Sequence, residues 1–174
     1  MLSIRPATAA DVSLILEFIR GLAEYERAPK AVRATEDDIR RYGFGPNPLF
    51  RCLIAEWENR PAGFALFFYN YSTWYGRPGL YLEDLFVLPE MRGKGLGKAL
   101  LRELAQIAIK ENCYGLAWMV LNWNEPAIKF YQSLGAELLN EWETMRLRGE
   151  PLERLANETG TAQTTAESKT MKTK

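Results

Sequence analysis

Three glycines at alternate positions, Gly93, Gly95 and Gly97, stand in "RGKGLGKAL", between an apolar run that ends at Pro89 and a helix-like run that follows at once. Glycine lets successive backbone N–H groups turn toward one point, because no Cβ intervenes. A helix starting there adds its orphan N–H donors and the positive end of its dipole. Arg92, Lys94 and Lys98 bring side-chain charge to the same short segment. Such a loop suits a pyrophosphate, although on glycine spacing alone a flexible strand-to-helix turn reads equally well. It is neither G-x-x-x-x-G-K-[ST] nor the dinucleotide fingerprint G-x-G-x-x-G. A second group capable of chemistry is the carboxylate pair Glu83 and Asp84, which ends the apolar segment "LYLED". With no histidine in the chain, carboxylates, tyrosine, water or backbone must move the protons of any reaction here.

The elements that must position these residues are legible in outline. "LSIRPAT" reads as a short first strand, and Thr8 with Asp11 forms a capping box for a helix through "ADVSLILEFIRGLAEYE". Val12, Ile15, Leu16, Ile19, Leu22 and Ala23 share one face of it. "ATEDDIRRYGFG" predicts a shorter helix, capped by Thr35 and stopped at Gly43. "LFRCLIAEW" and "PAGFALFFYNYS" are apolar runs joined by the turn-like "ENRPAG", which predicts a hairpin. "LYLEDLFVLP" is a third strand, a helix follows from about Gly97 to Glu111, and "YGLAWMVLN" is another strand. Asn124 caps a short helix, with Pro126 in its first turn and Gly135 as its stop. A last strand is expected near "EWETMRLRG". Residues 157–174 are polar, Thr-rich and aperiodic, and predict a disordered tail behind a single domain of residues 1–156.

Composition sets the class. The 174 residues are 47% hydrophobic and 25% charged, with 22 basic and 22 acidic side chains, ordinary values for one globular domain. No overall field draws the chain to nucleic acid or anionic lipid. No apolar run reaches the roughly 18 residues of a membrane span, and the start lacks the layout of a secretory signal, so a cytoplasmic location is expected. Cys52 and Cys113 lie in apolar stretches without metal-ligand spacing and read as buried apolar residues. No metal is expected.

Arg92-Gly93-Lys94-Gly95-Leu96-Gly97 also matches [RQ]-x-x-G-x-[GA] on a β-to-α turn, and this resembles the acetyl-CoA loop of the GNAT superfamily of N-acetyltransferases. The resemblance continues through "RPATAAD", "LAEYE", "GFGPNP", "GFALFFYNYSTW", "YLEDLFV", "NWNEPAIKFYQSLGA" and "EW". In that order, from about residue 3 to residue 156, they are similar to the diamine branch: the spermidine/spermine acetyltransferases and their thialysine-acetylating relatives. The resemblance implies an α/β fold with a mixed, mostly antiparallel sheet flanked by helices and splayed at the strand containing Leu85 to Val87. It implies acetyl-CoA as cosubstrate, a small-molecule amine as acceptor, direct transfer in a ternary complex, and a homodimer with the C-terminal strand region at its interface.

Carried over residue by residue, the resemblance assigns roles. The backbone of Leu85, Phe86 and Val87 would pair with the pantetheine arm, Arg92 to Lys98 would cradle the pyrophosphate, and Asn124, Glu125, Pro126 and Ala127 would lie beside the cofactor. Tyr131 matches the family's general acid, although by spacing alone it is an ordinary packing position on a short helix. Glu83 would face the substrate amine and lead its proton to solvent through water; an alkylamine with a pKa near about 10.4 needs such help at neutral pH. Glu83 and Asp84 read equally well as a solvated strand edge. Tyr25 and Glu26 align with a further substrate-contacting pair. Glu141, with Trp74 and Trp142 as cation-facing walls, completes the implied amine site. Ser72 and Thr73 stand where the polyamine enzymes carry an acidic residue and a proline, so "YSTW" resembles the thialysine branch. A non-catalytic acyl-CoA-binding module, an enzyme acetylating a protein amine and a nucleic-acid-binding protein remain open alternatives.

Overall fold

Thr8 and Asp11 exchange the expected capping-box hydrogen bonds, and Arg5 grips the Asp11 carboxylate with both terminal nitrogens, at 2.9 and 2.8 Å. The Arg5 Nε–H also reaches Glu56 at 2.7 Å. Asp11 is buried, and the hydrogen bonds from Arg5 hold its carboxyl down at about 2. This ion pair ties the first strand, β1 (Leu2–Pro6), to the start of helix α1 (Val12–Tyr25) and to strand β2 (Arg51–Trp57).

The computed structural model describes residues 1–158 and divides into two units, Met1–Ile128 and a second from Lys129 onward. In the first unit, helix α2 (Glu36–Phe44), strands β3 (Arg60–Ser72) and β4 (Arg77–Val87), helix α3 (Leu96–Lys110) and strand β5 (Leu116–Trp118) complete a five-stranded sheet. Its order is β1-β2-β3-β4-β5. The first three pairings are antiparallel and the β4–β5 pairing is parallel, the mixed, mostly antiparallel sheet that the family resemblance implies.

β2 and β3 read as nearly unbroken apolar runs because helices cover both faces of the sheet. On one face Val12, Ile15, Leu16 and Phe18 of α1 and Ile39 of α2 pack on Cys52, Ile54, Phe64, Leu66 and Phe86. Across the sheet α3 buries Leu96, Leu100, Leu101 and Leu104. Cys52 is buried, as expected, and burial pushes its thiol well above the usual range. At Gly63 an added Cβ would stand 2.5 Å from the Phe86 carbonyl oxygen. Only glycine lets β3 and β4 lie this close where β4 ends.

Several boundaries differ from the expectations. Glu58 and Asn59 alone make the β2–β3 turn, with φ of 53° and 61°. Both being left-handed is the mark of a two-residue hairpin matching strand twist, so Arg60 to Gly63 belong to β3 rather than to the loop. α2 passes through Gly43 and ends at Gly45. The strand expected over "YGLAWMVLN" shrinks to β5, because β4 offers it register partners only from Leu80 to Leu82.

Helix α4 (Glu125–Ser133) leads into the second unit, which also contains helix α5 (Glu150–Asn157). The closing strand expected near "EWETMRLRG" is not formed: residues 141–148 contain no regular element and are exposed. A strand needs a paired strand for its backbone groups, and the described sheet, β1 to β5, pairs with none of these residues. The predicted tail, residues 157–174, lies outside the described residues except for Asn157 and Glu158.

Candidate active site

β4 creates the site by losing a partner. Its pairing with β5 covers only Leu80 to Leu82, while its pairing with β3 continues to Val87. From Glu83 to Val87 the edge facing away from β3 therefore has no strand partner among the described residues. The splay expected at Leu85 to Val87 is present. Phe86 buries its side chain in the core, which leaves its backbone to serve the edge; Leu85 and Val87 are half-buried.

The chain leaves β4 through Leu88 and enters the glycine loop. Gly93 and Gly95 have φ of 75° and 85°, left-handed values that cost a residue with a Cβ about 1–2 kcal/mol. A Cβ placed on either would find no atom within 4 Å. Two left-handed glycines thus border open space directly before the N-terminus of α3, a geometry suited to phosphate oxygens. Leu96 is 1% exposed, so its side chain serves the core and only its N–H is available to a ligand. Gly97 is half-buried and Lys98 exposed on the first turn. Lys94 is turned to Met91 and Trp57, with Nζ 3.3 Å from the Met91 sulfur and 5.5 Å from the Trp57 ring centre.

Arg92 donates its Nε–H to the Val87 carbonyl at 3.2 Å, and its guanidinium carbon lies 4.5 Å from the centre of the Tyr25 ring. The Tyr25 hydroxyl donates to Asn124 Oδ1 at 2.9 Å, and the same oxygen accepts the Ala127 N–H at 3.4 Å. Asn124 is therefore the cap of α4 that the sequence predicts, buried and satisfied. Glu125 and Pro126 are exposed on the first turn of that helix, and Ala127 is half-buried.

Three carboxylates gather at the end of α1 and the bulge of β4. The β3–β4 register slips between Leu66 and Phe67, which pair with Asp84 and Leu82 and leave Glu83 unmatched. Glu83 is exposed, whereas Asp84 is half-buried. Burial, with the charges of Glu83 and Glu26 adding to it, pushes the Asp84 carboxyl up to about 6. Burial also raises Glu26. Like charges held this close favour a cation among them, and a protonated amine is such a cation.

The sequence-predicted residues do not all converge. Trp74 sits at the turn of the β3–β4 hairpin, 84% exposed. Six residues of β4 separate that end of the hairpin from Glu83, about 20 Å at 3.3 Å per residue, so within one chain the two do not flank the same small molecule. Tyr131, Glu141 and Trp142 belong to the second unit. There Tyr131 is half-buried, its ring 5.4 Å from that of Phe130, and Glu141 and Trp142 are exposed.

Sequence reasoning left two features unassigned. Asp84 was only the neighbour of Glu83, because nothing local reveals a strand bulge or the approach of Glu26. Trp123 lies 6.3 Å from Tyr25 with Arg27 at 4.5 Å over its ring; its place beside the capping Asn124 was the available signal. Among the described residues no group of three or more His, Cys, Asp or Glu could hold a metal, and no helix is long and apolar enough to cross a membrane.

Comparison with known proteins agrees with this geometry. Residues 16–136 match the model of the acetyltransferase (GNAT) family. The thialysine N-epsilon-acetyltransferase of Sus scrofa is 40% identical over 164 residues, which cover 88% of this chain and 96% of that protein. The spermidine/spermine N(1)-acetyltransferase-like protein 1 of Homo sapiens is 40% identical over 159 residues, 86% of this chain but only 23% of that protein. Among solved structures, an integron cassette protein from the mobile metagenome of V. cholerae superposes with a TM-score of 0.75 at 33% identity, covering 90% of this chain and 98% of its own.

Proposed function

The chain belongs to the GNAT acetyltransferase family, and on that premise we propose that it moves the acetyl group of acetyl-CoA to the primary amine of a small molecule of the thialysine or lysine-like class. Relatives spanning most of this chain carry the thialysine activity in their names. "YSTW", with Ser72 and Thr73 in place of an acidic residue and a proline, favours the same acceptors over longer polyamines.

The observation that carries the reading is the unpaired β4 edge running straight into two left-handed glycines with open space around them. A pantetheine amide can add to a strand edge as another strand would. Loop N–H groups and Arg92 would hold the pyrophosphate, and the start of α4, at Glu125, Pro126 and Ala127, would border the cofactor. When bound, acetyl-CoA supplies an activated thioester.

The remaining chemistry falls to the protein. Glu26, Glu83 and Asp84 would attract the ammonium form of the acceptor, and Glu83, exposed at the bulge, would carry its proton away to solvent through water. Tyr131 would donate a proton to the departing thiolate. Each role is open to substitution. Glu141 and Trp142 would supply further contacts to the acceptor, and Trp74, at the far end of the β3–β4 hairpin, would reach it only from a second copy.

A homodimer in the cytoplasm completes the reading. It is supported by Leu139, Trp142 and Met145 of the second unit, which are 67%, 68% and 91% exposed; apolar surface of this kind is what a second copy covers. The deciding experiment is thiol release from acetyl-CoA with thialysine, lysine, putrescine, spermidine, spermine and a lysine-containing peptide as acceptors. The reading expects thialysine or lysine to be preferred. Preference for spermine would move the chain to the polyamine branch, and preference for the peptide would make a protein amine the acceptor.

A further inference from the structure

We infer that Tyr25 is a positioning residue for acetyl-CoA, a brace across the open wedge beyond β4; this rests on the cofactor reading above. Past Leu82, no strand pairing holds β4 to the segment that follows β5. The spacing between the glycine loop and the start of α4 must therefore come from side chains.

Tyr25, projecting from the end of α1, reaches both sides. Its hydroxyl proton is committed to Asn124 Oδ1 at 2.9 Å, and Asn124, 8% exposed, in turn caps α4 through the Ala127 N–H. Its ring lies 4.5 Å beneath the Arg92 guanidinium, which is fixed a second time by the Val87 carbonyl. One side chain thus links α1, the end of β4, the entry to the glycine loop and the N-terminus of α4.

The test measures acetyl-CoA affinity by calorimetry and both KM values with thialysine, for wild type, Tyr25→Phe, Asn124→Ala and the double variant, with melting curves to show that each is folded. Tyr25→Phe deletes one hydrogen bond and keeps the ring, so acetyl-CoA should bind about three- to tenfold more weakly, with its KM raised more than that of the amine. In the Asn124→Ala background Tyr25→Phe should cost nothing further, because the bond it removes is already gone. A raised amine KM with unchanged acetyl-CoA affinity would overturn the inference, as would two fully multiplicative losses or no change in either constant. Wild-type protein that fails to bind acetyl-CoA would instead overturn the cofactor reading, and the brace with it.

Discussion

Tyr131 and Asp84 represent two ways in which a residue reveals its chemistry. Tyr131 stands out by its family context, since its half-buried position on α4 is ordinary for an aromatic. Replacing it with phenylalanine should leave acetyl-CoA affinity intact and lower kcat at neutral pH about a hundredfold, the usual scale for losing a general acid. Turnover unchanged between pH 6 and 9 would remove it from the mechanism. Asp84 stands out by its surroundings. Its carboxyl is pushed from 3.8 up to about 6, so between these values the folded chain keeps a proton that the unfolded chain has lost. Stability then falls as pH rises from about 4 to 6, and above that range the protein carries an unfavourable charge. Asp84→Asn should melt about 2–5 °C higher than wild type at pH 7.5, and the gap should narrow at pH 5. A gap of the same size at both values would mean that burial and the charges of Glu83 and Glu26 do not raise it as described.

At the scale of elements, the glycine loop and the end of β4 work as one unit. Gly95 is the N-cap of α3 in a left-handed conformation, so a β-branched residue there is strained and also fills the open space before the helix. Gly95→Val should weaken acetyl-CoA binding at least tenfold and cost about 1–2 kcal/mol of stability. Calorimetry beside a denaturant melt separates the two effects. Undiminished affinity would contradict the cradle. The hairpin shows why boundaries were harder to read than elements: all six residues of "ENRPAG" read as turn-like, yet left-handed Glu58 and Asn59 complete the reversal, and Pro61 sits in the strand beside a register shift between Ala55 and Glu56. Proline is tolerated where the ladder is already irregular.

For the molecule as a whole, the question is what covers the second unit. Trp142 and Met145 are exposed within residues 141–148, a stretch that contains no regular element. Light scattering should give a particle of twice the 19.9 kDa chain mass. Replacing Trp142 and Met145 together with serine should shift it to the monomer. A monomeric wild type would reject the homodimer.

The core of the fold was readable because it is a matter of periodicity and local caps: the apolar face of α1, the Thr8–Asp11 and Thr35 caps, the apolar runs of β2, β3 and β4, and the glycines before α3 follow from near neighbours in the chain. Which side chains would be aligned with cofactor and amine came from ordered motifs. Other features were decided only in three dimensions. The bulge that leaves Glu83 unmatched, the burial that raises Asp84, the stack of Arg92 on Tyr25 and the reach of Tyr25 to Asn124 each join residues far apart in sequence. Such contacts depend on how β4 parts from β5 and how α1 lies across the gap. Local propensity does not encode them, because their free energy comes from desolvation and from distances that exist only once the sheet has closed on its helices.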